Sequence, residues 1–329
     1  MSHRIEGGWH KLDHYCESYD FELSFIIPCY NGESFIEVVI GSIKESLKRC
    51  CDTYEIILVD NGSIDKSAII AERCGALVVE SSSKTVSGVR NDGVKVSRGR
   101  LIAFIDADVE IDCTWYDVLL SKFKAISDSK LITGSHCVVP ENIRQPFFTW
   151  YKSIEDDDRN THLGSGHLII SRSLFDEIGG FDDSLKSGED YDLCQRALQV
   201  GASVQADSEL VARHLGYPDT VWEFIVRECW HGASDFSSVY YFVRSKVAML
   251  AAIFALIQIG ILIGVLTGSV TVVQIFVFLT WLILAMFVYA KFRFKNIKVF
   301  SCNIMVAYIY LFGRICSVIY PILERNRNE

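Results

Sequence analysis

The sequence predicts an α/β protein in which a mostly parallel, helix-covered sheet precedes C-terminal membrane-spanning helices. Apolar, β-rich runs alternate with amphipathic segments from Leu23 onward, which is typical of βαβ units. Further along, Val247–Ala290 contains no Asp, Glu, Lys or Arg, and it is long enough for two spans of about 20 residues each. At 329 residues, half of them hydrophobic, the chain can form one large domain or two small ones.

The alternating segments follow one another in a regular order. The glycine pattern GxGxxG of dinucleotide-binding folds is missing from them, which argues against a nicotinamide enzyme. The predicted strands are Leu23–Pro28, Glu55–Val59, Ala76–Val79 and Leu101–Ile105, and the predicted helices between them are Phe35–Arg49, Lys66–Cys74 and Ser87–Ser97.

Polar clusters follow three of the predicted strands, and ligands in parallel sheets bind at the carboxyl ends of strands. The clusters are Pro28-Cys29-Tyr30-Asn31, Asp60-Asn61-Gly62-Ser63 and Asp106-Ala107-Asp108. Carboxylate oxygens suit Mg²⁺ or Mn²⁺, and such an ion neutralises the charge of a diphosphate. The third cluster therefore suggests chemistry on a nucleotide diphosphate, although a strand that ends in Asp is often only a turn or a helix cap.

The part from 132 to 216 is less regular. Its acidic run, Glu155–Asp158, is most simply a solvated loop or helix start. A glycine-bracketed Gly164-Ser165-Gly166 leads into the apolar Leu168–Ile170. Gly188–Leu193 opens a predicted helix, and its acidic residues are favourable in a first helical turn for the dipole alone.

The uncharged stretch predicts a transmembrane hairpin. Its helices are Val247–Thr267 and Val270–Ala290, which turn at Gly268-Ser269. The next segment, Lys291–Lys298, contains Lys and Arg but no Asp or Glu, which predicts a cytoplasmic position. The residues before the hairpin are then cytoplasmic as well, so we expect a multi-pass protein of the cell (inner) membrane.

A third apolar stretch, Val299–Leu323, contains Arg314 and Pro321, and it is predicted to be either a third span or an interfacial helix. Met1–Tyr19 lacks the apolar core of a signal peptide. The eleven cysteines form no CxxC pair and are expected to be reduced thiols. A net charge of −9, without clusters of Lys or Arg and aromatic residues, argues against a nucleic-acid partner.

Six short segments follow one another along the chain: Ile27–Glu33, Val59–Asp65, Val89–Gly93, Phe104–Asp108, Ile178–Asp182 and Gly188–Leu193. In this order and spacing they resemble the glycosyltransferases of family 2 in their membrane-anchored form. The resemblance covers roughly 22 to 214 and implies a GT-A fold, which is a Rossmann-like nucleotide-diphospho-sugar transferase domain. It also implies a nucleotide-sugar donor, a divalent cation (Mn²⁺ or Mg²⁺) and inversion at the anomeric carbon.

The resemblance implies roles for individual residues. Asp190 is the expected base for the acceptor hydroxyl, and Glu189 orients the loop beside it. Asp108 is the expected direct metal ligand, with Asp106 contacting ribose or metal and His214 completing the shell. Asp60 can accept a hydrogen bond from the imide N–H of uracil, and Arg90 can pair with a phosphate or with Asp106. The other expected donor-binding residues are Pro28, Tyr30, Asn31, Glu33, Ser63 and Trp230.

The resemblance also divides the chain. The expected parts are an N-terminal extension (1–21), a GT-A domain (22–232), a juxtamembrane linker (233–246) and a transmembrane region (247–323). Processive family members carry QxxRW after the acidic pair, whereas Val226–Gly232 has Trp230 without the preceding Arg. Transfer of a single sugar is therefore favoured over polymerisation.

Three functional interpretations stay open at this point. The leading one is transfer to a lipid-linked glycan, since a tethered domain meets membrane acceptors by proximity. The second is transfer to polyprenyl phosphate, and the third is a non-catalytic nucleotide-binding or scaffold module. Cationic side chains that could serve a phosphate acceptor at the membrane edge are Arg244, Lys246, Lys291 and Arg293.

Overall fold

The computed structural model describes residues 21–48, 53–128, 130–155, 163–185, 188–218, 220–233, 235–236 and 239–318. The chain divides into two compact units. The first unit comprises Met1–Val138 and Asp158–Gly216, and the second comprises Val139–Asp157 and Tyr217–Glu329. Two amphipathic segments that the sequence placed in the catalytic domain, around 147–155 and 221–232, thus group with the apolar C-terminal helices.

A seven-stranded sheet forms the centre of the first unit. Its order is β3-β2-β1-β4-β7-β6-β8, and β5 pairs with β9 in a separate two-stranded sheet. The strands β1 to β4 run parallel to one another, whereas β7 runs antiparallel to both β4 and β6. The strands are β1 (Phe21–Cys29), β2 (Tyr54–Asp60), β3 (Leu77–Glu80), β4 (Gly99–Ile105), β5 (Val109–Ile111), β6 (Leu131–Gly134), β7 (His167–Ser171), β8 (Ser203–Ala206) and β9 (Ala212–His214).

Helices cover both faces of this sheet, which confirms the predicted α/β class. Phe25 and Ile27 on β1 lie in one apolar core, whereas Ile26 lies in the core on the opposite face. Because both faces are buried, the central strands are continuous apolar runs. The helices of the first unit are α1 (Ile36–Ser46), α2 (Ser67–Arg73), α3 (Val86–Val96), α4 (Trp115–Asp128), α6 (Arg172–Glu177) and α7 (Glu189–Gln199), while α5 (Phe147–Glu155) belongs to the second unit.

The second unit is helical. Three of its helices, α10, α11 and α12, are long and apolar enough to cross a membrane. The first two correspond to the predicted hairpin, with Gly268 in the left-handed conformation at the turn (φ +68°). The helices are α5, α8 (Val221–Gly232), α9 (Val239–Arg244), α10 (Lys246–Leu266), α11 (Val270–Phe292) and α12 (Ile297–Cys316). Pro321 of the predicted third stretch lies outside the described residues.

Helix α12 packs between amphipathic helices and the hairpin. Asn303 Nδ2 donates to Ser153 Oγ of α5 at 2.9 Å, and Tyr310 stacks on Phe287 of α11 with ring centroids 5.6 Å apart. Arg314 Nε donates to Glu228 Oε2 of α8 at 3.0 Å. Arg314, in the last turn of α12, is therefore paired within the second unit.

Candidate active site

The loops that follow β1 and β2 hold each other through reciprocal hydrogen bonds. Asn31 N donates to Ser63 Oγ at 2.9 Å, and Ile64 N donates to Asn31 Oδ1 at 2.9 Å. Lys66 N donates to Glu33 Oε2 at 3.0 Å. Asn31 has a positive φ of 55°, which Asn tolerates better than most side chains. Three predicted donor-binding residues, Asn31, Glu33 and Ser63, thus lie together at one edge of the sheet.

Asp60 lies beneath these loops at the end of β2 and is 8% exposed. Its Oδ2 accepts a hydrogen bond from Ser63 N at 3.1 Å. Its Oδ1 is buried and has no hydrogen-bond partner among the residues described. A buried acceptor without a donor is costly, so this oxygen is suited to an N–H group from a ligand. Pro28, on the neighbouring strand β1, is buried. The side chain of Tyr30, which follows the end of β1, is 65% exposed.

Arg90, on α3, connects two of the predicted acidic motifs. Its Nη2 donates to Asp106 Oδ1 at 2.7 Å, and its Nη1 donates to Glu189 Oε1 at 3.0 Å. Ser165 Oγ also donates to Glu189 Oε1, at 3.3 Å. The Arg90 side chain is only 3% exposed, and it makes the predicted pairing with Asp106. The arrangement fixes α3, the end of β4 and the start of α7 relative to one another.

The loop Gly164–Gly166 passes directly against the acidic groups. Asp106 N donates to Gly166 O at 3.0 Å. A Cβ on Gly166 would lie 2.6 Å from Asp106 Oδ2, and a Cβ on Gly164 would lie 3.7 Å from Asp190 Oδ2. One short loop therefore contacts the first aspartate of the D-x-D motif and borders the predicted base. The closely spaced glycines before a strand were the sequence signal for this loop, but the sequence alone assigned them no role.

Glu189 and Asp190 are adjacent at the start of α7 but occupy different surroundings. Gly188 precedes them in the left-handed conformation (φ +78°), which glycine adopts without strain. The Glu189 side chain is 12% exposed and pairs with Arg90, whereas Asp190 is half-buried and accepts a hydrogen bond from Tyr191 N at 2.7 Å. Glu189 is thus a structural partner of Arg90, and Asp190 is the more accessible carboxylate of the pair.

Asp108 and His214 come together through the small second sheet. Strand β5 starts immediately after Asp108, and Val109 pairs with His214 of β9. His214 Nε2 lies 3.6 Å from Asp108 Oδ2. A Cβ on Gly216 would lie 2.0 Å from the same Oδ2, so only glycine leaves room for the carboxylate here.

Cys137 is a neighbour of the D-x-D motif that the sequence did not indicate. Burial raises the pKa of the Cys137 thiol to about 12, and the charges of Asp106 and Asp108 add to this. The thiol is therefore neutral at physiological pH. Its position, 29 to 31 residues from the two aspartates in the chain, gave no local signal.

The donor set fits a divalent cation that arrives together with a diphosphate. Among the described residues, no group of three or more His, Cys, Asp or Glu side chains is gathered as a metal site. Mg²⁺ is commonly held by one or two carboxylates together with substrate phosphates, and Asp108 with His214 supplies one carboxylate and one imidazole. Asp106 is already bonded to Arg90.

Trp230, the remaining predicted donor-binding residue, lies on α8 of the second unit. Its side chain is 56% exposed, and its ring centroid is 4.9 Å from that of His231. It is therefore not one of the residues that the first unit brings together.

Comparison with known proteins agrees with this geometry. The family model described as glycosyl transferase family 2 matches residues 24–179. A pre-mycofactocin glycosyltransferase of Mycobacterium tuberculosis is 23% identical over 230 residues, which are 65% of this chain and 46% of the relative. Glycosyltransferase AglE of Haloferax volcanii is 23% identical over 206 residues, 60% of this chain and 67% of the relative. The chain thus matches less than half the length of the first of these relatives.

A solved structure has the same fold. The mannosyltransferase PcManGT of Pyrobaculum calidifontis, determined in complex with GDP-Man and Mn²⁺, matches with a TM-score of 0.57. It is 16% identical and the match covers 92% of this chain and 88% of that one. Residues 24–179 therefore match glycosyl transferase family 2, and the GT-A domain is followed by apolar helices that could span a membrane.

Proposed function

We propose that this glycosyltransferase moves one sugar, with inversion and with the help of a divalent cation, from a nucleoside diphosphate sugar to a membrane-associated, lipid-linked acceptor. The observation that carries the proposal is the link between Asp106 and Glu189 through Arg90. This link joins two predicted groups in one site. The first is the D-x-D motif, which is expected to face the donor diphosphate, and the second is the acidic pair Glu189-Asp190, which is expected to face the acceptor.

The donor's base is recognised by Asp60. Its buried Oδ1 has no partner among the described residues and suits the imide N–H of uracil. The N1–H of guanine would make the same contact, and a GDP-sugar is bound by the structural relative described above. Uridine is the base that we favour, with Pro28, Tyr30, Asn31 and Glu33 shaping the pocket.

Asp108 and His214 would hold the cation, with Asp106 as an additional contact. A divalent ion in this position would act as a Lewis acid toward the departing diphosphate. The chain's own contribution is to fix Asp108, directly before β5, 3.6 Å from His214 of the paired strand β9, and to leave room for the carboxylate at Gly216.

Asp190 is the general base. It accepts the proton of the acceptor hydroxyl while that oxygen attacks the anomeric carbon, and the nucleoside diphosphate leaves from the opposite face. Glu189, already bonded to Arg90 and Ser165, positions the start of α7 and therefore the neighbouring Asp190. The single displacement inverts the configuration of the sugar.

The catalytic domain lies on the cytoplasmic side of the cell (inner) membrane, anchored by α10 and α11. The third apolar helix, α12, is either a third span or an interfacial helix. The Trp150 ring, whose centroid is 4.9 Å from that of Phe292 and 5.5 Å from that of Tyr310, favours the interface. The hydrogen bond from Tyr308 Oη to Gln258 Oε1 at 3.2 Å, in the middle of α10, favours a span.

The proposed acceptor, a lipid-linked glycan, reacts through a hydroxyl group, whereas the main alternative, polyprenyl phosphate, reacts through its phosphate. A phosphate acceptor is already an anion and needs little base catalysis, whereas a hydroxyl acceptor needs Asp190.

We expect purified full-length protein in detergent to release nucleoside diphosphate from one donor in a panel of UDP-, GDP-, CDP- and ADP-sugars. Release should need Mn²⁺ or Mg²⁺, rise with extracted native lipid and be lost in Asp60→Ala. Release from no donor by folded protein would favour the non-catalytic module.

A further inference from the structure

Cations gather at one end of the hairpin formed by α10 and α11. The sequence contains no Asp or Glu between Asp235 and Glu324, whereas six Lys and Arg residues lie close to the start of α10 and to the end of α11. The stretch between these two groups carries no charge. We call the group the basic end of the hairpin, and its members are Arg244, Lys246, Lys291, Arg293, Lys295 and Lys298.

The packing of the two helices brings these cations to one level. Gln258 Nε2, in the middle of α10, donates to Thr280 Oγ1, in the middle of α11, at 3.1 Å. Both helices rise by the same amount per residue. Continued to the helix ends, this antiparallel register places Lys246 about level with Lys291.

Most of these cations have exposed side chains. The remaining cation of this part of the chain, Arg314, is instead paired with Glu228 at 3.0 Å and with Asp235 at 3.5 Å. The basic end therefore presents positive charge on the surface of the second unit, in a stretch of sequence that has no acidic residue to balance it. The exposed members are Arg244, Lys246, Arg293, Lys295 and Lys298.

Exposed aromatic and aliphatic side chains lie among the cations. Before α10, Tyr240 is 59% and Tyr241 is 56% exposed, and after α11, Phe294 is 55% and Ile297 is 70% exposed. Tyr is enriched where proteins meet the membrane–water interface, and apolar side chains beside Lys and Arg favour attachment to a headgroup surface. The turn at the other end, residues 266–271, has no charged residue and no Trp or Tyr. The two ends of the hairpin thus differ in chemistry.

Arg293 has a backbone conformation that suits glycine better. Its φ is +57° and its ψ is −178°, and its N donates to Tyr289 O at 2.8 Å, which closes α11. A residue with a side chain is strained in this region, and strained residues cluster at functional positions. This points to a role for the arginine side chain at the basic end.

We propose that the basic end of the hairpin binds the acidic phospholipids of the surrounding bilayer. Guanidinium and ammonium groups bind phosphoryl oxygens through charge-assisted hydrogen bonds. Clusters of about four to eight Lys and Arg residues beside a membrane span are attracted to anionic lipid surfaces. The inference rests on the proposed placement of α10 and α11 in a membrane, but it does not depend on the acceptor or on the reaction.

The test is the association of spin-labelled lipids with the full-length protein, reconstituted in phosphatidylcholine vesicles. We expect phosphatidylglycerol to associate at least about 5-fold more tightly than phosphatidylcholine, which is the effect of a single cation near an anionic surface. Raising the salt concentration from about 0.1 M to about 1 M should remove most of this preference, because the screening length falls from about 10 Å to about 3 Å.

A double variant, Arg293→Gly with Lys298→Gln, removes two of the exposed cations. The preference for phosphatidylglycerol should fall at least about 2-fold, and thermal stability should not fall, because glycine suits the backbone at position 293. The matched control is Arg73→Gln with Lys48→Gln. It removes two exposed cations of the first unit, each beside a glutamate, and should keep the wild-type preference.

Equal association of the two lipids with the wild type would overturn the proposal, as would a wild-type preference in the double variant at the hairpin. If inorganic phosphate, added at constant ionic strength, removes the preference, the surface binds free phosphate and the bilayer assignment is wrong. Failure of the protein to insert into vesicles would contradict the proposed membrane placement as well. Absence of sugar transfer with an intact preference for phosphatidylglycerol would count against the proposed function and leave this surface standing.

Discussion

Arg90 donates to Asp106 at 2.7 Å from a position that is only 3% exposed. The first aspartate of the D-x-D motif is therefore paired by the protein itself, while the second, Asp108, lies beside His214 on the small sheet. Two acidic residues that look equivalent in the sequence consequently have different partners. Asp106 belongs to the Arg90–Glu189 link, and Asp108 is the one that we propose as a cation ligand.

Replacing Arg90 by Lys tests this link. An ammonium group keeps the charge but lacks the fork that reaches Asp106 and Glu189 together. We expect the free energy of unfolding to fall by about 1–3 kcal/mol, the cost of a buried polar group left unsatisfied. Sugar transfer should fall at least about 10-fold, because an ångström of misplacement in a site has effects of this size or larger. Chemical denaturation and turnover measure the two effects, and Arg73→Lys on the surface is the control.

Asp190→Asn distinguishes the two kinds of acceptor. If the acceptor is a hydroxyl, the variant should lose at least about 100-fold in turnover, since general base catalysis contributes on this order, and donor binding should be retained. Asp192→Asn is the matched control, because Asp192 stands two residues away on the same helix and pairs with Arg196. Wild-type turnover in Asp190→Asn would instead support the phosphate acceptor.

Gly166→Ala probes the loop beside Asp106. Its Cβ would lie 2.6 Å from Asp106 Oδ2, so the carboxylate has to move away from the position in which it meets Arg90. We expect turnover to fall at least about 10-fold with the fold retained, again as expected for a displaced site group. Gly164→Ala, whose Cβ would be at an ordinary 3.7 Å from Asp190 Oδ2, should retain far more activity. Equal effects of the two variants would contradict the described loop geometry.

His167 makes the stability of the protein depend on pH. Burial lowers the pKa of His167 to about 4. Its Nε2 accepts from Trp115 Nε1 at 2.7 Å, and its Nδ1 accepts from Ser135 N at 3.0 Å and lies 2.9 Å from Ser135 Oγ. In the unfolded chain the imidazole titrates near its usual value of about 6.5. The contribution of neutral His167 to the free energy of unfolding is therefore complete above about pH 6.5. It declines as the pH falls toward 4, by up to roughly 3 kcal/mol.

The measurement is unfolding of the full-length protein in detergent between about pH 7 and pH 5. His167→Gln does not titrate in this range, so its loss of stability on acidification should be smaller than that of the wild type. Identical losses in the two proteins would show that another group dominates.

The position of α12 decides on which side of the membrane its C-terminal end lies. If α12 lies in the interface, a reporter fused after Glu329 should be on the same side of the membrane as the catalytic domain, since only α10 and α11 then cross. A reporter inserted at Gly268, in the turn between these two helices, is the control for the opposite side. A C-terminal reporter on the side of the Gly268 reporter would mean that α12 spans the membrane.

Much of the first unit could be predicted because its central strands are buried on both faces. Phe25, Ile26 and Ile27 all lie in apolar cores, and this leaves a continuous apolar run that is easy to recognise. The antiparallel direction of β7 could not be predicted in the same way, because an apolar run such as Leu168–Ile170 is equally compatible with either direction.

The sequence indicated which residues form the candidate site, but not which of their side chains bond to one another. Strand ends brought Asp60 and Asp106 to one edge of the sheet, as the βαβ order indicated. The link through Arg90 joins side chains 99 residues apart, and no local pattern encodes such a contact. The same holds for Asn303 and Ser153, which are 150 residues apart and join α12 to an amphipathic helix.

The most direct test of the account is transfer of radiolabelled sugar into lipid by the purified full-length protein. The donor is the nucleotide sugar selected from the panel, supplied with Mn²⁺ and a native lipid extract, and the product is recovered in organic solvent. The account predicts labelled lipid with the wild type and none with Asp108→Ala. Cleavage of the donor to free sugar, with no label in the lipid fraction, would contradict it.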